Sequence, residues 1–157
     1  MKLWINFLLL LLLSLASCGT RKSVPASGVD ATAAQVVDNA FDFLGTPYRY
    51  GGTTSRGMDC SGLLYTAFLM EGISLPRQSA DLARLGYKLS LKQVQPGDLL
   101  FFWTGKSRAR INHVGLVVRL EKDQIFFIHA SSSNGVMVSE LDHLYWMDHF
   151  VMARRVL

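Results

Sequence analysis

The chain has 157 residues, with 16 Lys and Arg against 12 Asp and Glu, and two cysteines. Its formal charge of +4 at pH 7 is mildly basic and selects no partner; without a basic helix or aromatic–basic interleaving, nothing points to nucleic acid. The hydrophobic share of 50% is raised by a leucine-rich start and is not the composition of a membrane protein.

Met1-Lys2, an apolar run from Leu3 to Leu15, and the small residues Ala16-Ser17 describe a secretory signal. The run is shorter than the roughly 20 residues a membrane span needs. Leu15-Ala16-Ser17-Cys18 resembles the lipobox of bacterial lipoproteins, in which the cysteine is lipidated and becomes the first residue. The expected organisation is therefore a signal peptide at 1–17, a tether at 18–28 anchored to a membrane by lipid on Cys18, and one domain at 29–157. The alternative is an ordinary cleaved signal with an incidental cysteine. Loss of Lys2 with the signal lowers the charge from +4 to +3. The expected location is the cell envelope, and Gly19 after Cys18 favours the outer membrane, facing the periplasm, by resemblance to lipoprotein sorting rules. With Cys18 lipidated, Cys60 is the one free thiol in an oxidising compartment, and its retention there suggests use.

Residues Gly19 to Gly28 are small, polar or basic and lack periodicity, as a flexible tether requires. From Ala31 to Leu44, the apolar residues Ala33, Val36, Val37, Ala40, Phe41 and Leu44 recur at helical spacing and predict a core-facing helix closed by Gly45 and Pro47. A second helix runs from Cys60 to about Glu71, with Leu63, Leu64, Ala67 and Phe68 inward. A shorter helical segment is expected over Arg77–Leu85. Gln95-Pro96-Gly97-Asp98 is a turn, after which the pattern changes to strands: Leu99–Trp103, His113–Leu120, Ile125–Ala130, Gly135–Ser139 and Phe150–Val156. Lys106–Arg110 is a basic loop between the first two. Helices followed by short strands describe an α+β domain, its helices packed on one face of an antiparallel sheet of five to six strands. That packing sets the Cys60 helix against the strands carrying His113 and His129.

Thr46 to Leu64 organises the chemistry. Glycines and short polar residues make its first part a surface loop, which ends at Asp59, a good helix cap. Cys60 then falls where the helix begins. There, free backbone N–H groups and partial positive charge favour a thiolate and can bind an oxyanion. Deep burial of an inert thiol is the competing reading, weakened by the polar neighbours Asp59 and Ser61.

A thiol nucleophile needs a base, and imidazole has the right pKa. His113 opens one strand and His129 closes the next; in a hairpin both lie at one end of the sheet, as a base and its orienting partner require. His143 and His149 fall in an aromatic turn, Asp142–His149, and suit surface hydrogen bonding. Cys60, His113 and His129 also have the ligand types of a zinc site, but no two of them are closely spaced.

Pro47-Tyr48-Arg49-Tyr50-Gly51-Gly52, Met58-Asp59-Cys60-Ser61-Gly62, Leu75-Pro76-Arg77, Pro96-Gly97-Asp98-Leu99, His113-Val114-Gly115 and Phe127-Ile128-His129-Ala130-Ser131 together resemble the signature blocks of the NlpC/P60 peptidases. These are bacterial cell-wall cysteine peptidases with a papain-like core. The likeness runs from about Ala31 to the C-terminus and leans toward lipoprotein murein endopeptidases of the Spr or MepS type. It implies Cys60 as nucleophile, His113 as general base and His129 as the polar third member. It also implies Tyr48 lining the active site, and Asp59 and Ser61 facing the substrate peptide; the role of Arg77 is left open. The implied substrate is a peptidoglycan stem peptide or crosslink, with no metal or organic cofactor. The implied bond is the D-alanyl–diaminopimelate crosslink, with the γ-D-glutamyl–diaminopimelate bond or a non-catalytic wall-binding lipoprotein as alternatives.

Overall fold

The computed structural model describes residues 28–105 and 110–157. The signal, Cys18, the tether and most of the basic loop lie outside these residues. Among the described residues no helix is long and apolar enough to cross a membrane.

The described residues open with α1 (Gly28–Phe41), a short hairpin of β1 (Thr53–Thr54) and β2 (Gly57–Met58), and α2 (Cys60–Leu69). A single turn, α3 (Ser79–Leu82), leads to β3 (Tyr87–Leu89) and a 3₁₀ turn at Leu91–Gln93. There follow β4 (Leu99–Phe102), β5 (His113–Glu121), β6 (Gln124–Ser131), β7 (Gly135–Glu140), α4 (Leu144–His149) and β8 (Phe150–Arg155). Six strands form one antiparallel sheet in the order β3-β8-β4-β5-β6-β7. The expected α+β class and its antiparallel sheet are present.

Both faces of the sheet are covered, which the strand sequences require. In β4, Leu99 and Phe101 join Leu116, Ile128 and the apolar sides of α1 and α2 in one cluster. Leu100 and Phe102 point the other way, into a second cluster with Val117, Phe127 and Ala153, against which Trp146 of α4 packs. All four β4 side chains are buried, so an unbroken apolar run becomes a central strand.

Three expectations are corrected. α1 buries Val36, Val37 and Ala40, but Phe41 and Leu44 are exposed, at 40% and 55%. The helix stops at Phe41 because the chain turns toward the sheet, with the Gly45 N–H donating to the Val136 carbonyl at 2.8 Å, and Phe43 packs in their place. The helix expected over Arg77–Leu85 contracts to Ser79–Leu82, since the Arg77 carbonyl accepts from Ser61 Oγ at 2.6 Å instead of entering a helix. The aromatic turn is a short helix, α4, which covers the second face.

The Pro96-Gly97-Asp98 turn is fastened to the last strand. Asp98 is buried and its carboxylate takes Nε and Nη2 of Arg155 at 2.8 Å each, while its Oδ2 also accepts from the Gln95 N–H at 2.7 Å. Removing one partner strands buried polar groups. Asp98→Ala is expected to lower stability by about 2–4 kcal/mol in urea denaturation. An unchanged midpoint would mean the pair does not hold the β4–β8 end together.

Candidate functional site

The sulfur's position follows from a cap. Asp59 is extended, and its Oδ1 accepts the Gly62 N–H at 2.6 Å, which starts α2 at Cys60. Its Oδ2 takes the Gly51 N–H at 2.7 Å, so the same carboxylate holds the glycine loop. Ser61 Oγ, whose proton goes to the Arg77 carbonyl, lies 3.1 Å from Oδ1, and the Arg77 guanidinium reaches both oxygens at 3.3 Å. Gly62 has to be glycine: a Cβ there would lie 2.0 Å from the Gly52 carbonyl oxygen. Tyr48 bridges to Met58 directly before the cap.

Cys60 is a buried, free thiol. Its Sγ lies 3.7 Å from Ser79 Oγ, and the backbone amides of Val114 and Ser61 hydrogen-bond to it. Val114 directly follows His113, so the sulfur lies at the start of β5. The open cleft here, about 540 Å³, is lined by Tyr48, Tyr50, Asp59, Ser61, Arg110 and Asn112, among others.

His113 and His129 come together as the hairpin argument expected. His113 Nε2 lies 3.1 Å from His129 Nδ1, and His129 Nε2 lies 2.9 Å from Ser139 Oγ. Both rings are set in an aromatic frame on the face of the sheet opposite α2. His113 stacks on Trp146 with centroids 5.5 Å apart, and His129 stacks on Phe127 at 5.1 Å and meets Trp146 edge-on at 4.7 Å. Gly115 leaves room for this frame, because a Cβ there would fall 2.4 Å from the Phe127 ring.

One electrostatic expectation is reversed. Burial pushes the Cys60 thiol up, and the Asp59 charge adds to this; the Ser79, Val114 and Ser61 hydrogen bonds pull it down without overcoming burial. The helix N-terminus therefore does not hold a resting thiolate. Burial lowers His113 to about 4 and, with the charge of His113, lowers His129 to about 3. Burial, then the Cys60 and Asp59 charges, raises Tyr48, so its phenol is a proton donor at neutral pH. At pH 7 the Cys60 thiol and both imidazoles are thus neutral in the unliganded site.

Asp59 and Ser61, expected to face a peptide, line the cleft while being engaged with each other and with Arg77. Tyr48 stands at the cleft with 37% exposure. His143 and His149 stay apart from the line: His143 Nδ1 accepts from the Tyr145 N–H, and His149 Nδ1 pairs with the Tyr145 carbonyl. Sequence reasoning missed Ser79, Ser139 and Trp146. The β6–β7 register could have found Ser139: with Phe127 opposite Ser139 and His129 opposite Met137, the serine is the diagonal neighbour of His129 on the same face.

The family comparison agrees with the geometry. Residues 45–155 match the model of the NlpC/P60 family. The chain belongs to the NlpC/P60 family. It is 38% identical over 154 residues to the probable endopeptidase NlpC of Escherichia coli K12, covering 95% of this chain and 97% of that one. It is 35% identical over 124 residues to the murein DD-endopeptidase MepS/murein LD-carboxypeptidase of the same strain, covering 78% of this chain and 62% of that one. An NlpC/P60 family protein of Bacillus cereus ATCC 10987 superposes with a TM-score of 0.72 at 29% identity, over 80% of this chain and 40% of that one.

Two outcomes test the site as described. Gly115→Ala should push Phe127 off its seat and lower thermal stability by about 1–3 kcal/mol, a typical overpacking cost; an undisturbed melting temperature would contradict the close approach. The folded-state pKa of His129 lies below its unfolded value, so the unfolded chain binds more protons between pH 6.5 and about 3. Stability should therefore fall as pH drops through that window, and fall less steeply in His129→Asn. Parallel slopes in a urea series would argue against a buried neutral His129.

Proposed function

We propose that this protein is a cysteine endopeptidase that hydrolyses peptide bonds of peptidoglycan, with the D-alanyl–diaminopimelate crosslink as its bond. The observation that carries the reading is a helix-start thiol hydrogen-bonded by the amide of Val114, the residue after His113, together with the His113–His129 hydrogen bond. The likeness to a murein DD-endopeptidase over most of this chain supports the crosslink.

His113 spends Nε2 on His129, which leaves Nδ1 to take the thiol proton as Cys60 Sγ attacks the carbonyl carbon. The imidazolium so formed is stabilised by the lone pair of neutral His129. Negative charge on the carbonyl oxygen meets the Cys60 N–H at the start of α2, and the Tyr48 phenol is a second donor at the cleft. His113 then returns its proton to the leaving amine. Water, deprotonated at the same nitrogen, resolves the thioester.

Lipid on Cys18 and residence at the outer membrane belong to the same proposal; the first rests on the Leu15–Cys18 sequence and the second on Gly19 after it. Labelling with radioactive palmitate should mark the wild type and not Cys18→Ala; label in neither would leave an ordinary cleaved signal.

The test is a digest of purified peptidoglycan analysed by mass spectrometry. Loss of crosslinked dimers with gain of disaccharide–tetrapeptide monomers, absent in Cys60→Ala, is the expected result. Disaccharide–dipeptides would instead assign the γ-D-glutamyl bond, and wall binding without cleavage would assign a binding module. Because the active form pairs a neutral thiol with a neutral imidazole, kcat/KM should fall at acid pH near 4 and hold at alkaline pH beyond the ordinary cysteine range. An acid limb near 6.5 would mean that His113 is not desolvated as described.

A further inference from the structure

The hydrogen-bonded line does not stop at His129. A neutral imidazole has one N–H and one lone pair, so a chain of two imidazoles admits only two arrangements of hydrogens. In the first, His113 Nε2–H donates to His129 Nδ1, and His129 Nε2–H must find an acceptor of its own. In the second, both hydrogens move, His113 Nδ1 carries one, and that nitrogen can no longer take a proton from the thiol. Once His113 is charged, both its nitrogens are donors and the first arrangement is the one that stabilises it. The acceptor it requires is Ser139 Oγ, 2.9 Å from His129 Nε2. His129 is 1% exposed, and Ser139 is half-buried at the floor of a groove shared with Arg119, Met137 and Trp146.

We propose that Ser139 is a positioning residue for the reaction: when His113 becomes charged and both its nitrogens donate, Ser139 Oγ accepts from His129 Nε2–H and satisfies the one arrangement that stabilises the imidazolium. Ser139 touches neither substrate nor sulfur and acts through His129. Its place on β7 suits this, since a strand paired to β6 along its length holds the hydroxyl more rigidly than a loop would. The inference rests on the peptidase reading above.

The experiment compares wild type, Ser139→Ala and Ser139→Thr on a soluble crosslinked muropeptide, with nitrogen NMR of the labelled histidine side chains of each protein. Ser139→Ala is expected to lower kcat on the order of tenfold with KM little changed, and Ser139→Thr to recover most of it. In the wild-type and Thr spectra His113 should take up its proton at a higher pH than in the Ala spectrum, with His129 then protonated at Nε2 and bare at Nδ1. Unchanged kcat and an unchanged His113 titration in Ser139→Ala would overturn the proposal while leaving the peptidase reading intact. A wild type that cleaves nothing would instead overturn the peptidase reading and this inference with it.

Discussion

The carboxylate of Asp59 is the constraint on which the site depends. It is buried, and it is satisfied by donors from Gly51, Gly62 and Arg77 at once. One acceptor thereby fixes where α2 begins, how the glycine loop lies, and where the segment after Leu75 turns. Cys60 inherits its position from all three. The arrangement has a cost, since a negative charge beside the sulfur opposes its ionisation, as burial does. The site is built for geometry first, and charge separation is left to the moment of reaction.

The second half of the machinery is built on the other face of the sheet. His113 and His129 are held by aromatic packing against Phe127 and Trp146 as much as by their mutual hydrogen bond. Packing of this kind fixes ring planes, and the bond fixes the rotation within them. It also removes water, which lowers both imidazoles and keeps His129 neutral, so that its lone pair faces His113 when the proton arrives. Here fold stability and chemical competence rest on the same contacts.

Much of this was legible in the sequence, and for identifiable reasons. The cap and the glycines before Cys60 are local signals, and strand spacing alone placed His113 and His129 at one end of a hairpin. What escaped was tertiary. Phe41 and Leu44 obey the helical period, yet the chain leaves the helix at Phe41 to reach Val136, a long-range bond no window of sequence contains. Leu144–His149 is too short and too aromatic to announce a helix, and its purpose, to lay Trp146 on two imidazoles, is visible only once both sheet faces are known to be covered. Ser139 is one serine among many until the β6–β7 register sets it diagonal to His129. The raised thiol likewise depends on burial, which helix-dipole reasoning does not contain.

The most direct measurement of the central claim is a rapid acid quench of the protein turning over a crosslinked muropeptide, followed by peptide mass mapping. A thioester carrying the acyl half of the substrate on Cys60, growing before product and vanishing on dilution, is the expected result. Turnover with no adduct on Cys60, or an adduct elsewhere, would contradict the assignment of this sulfur as the nucleophile.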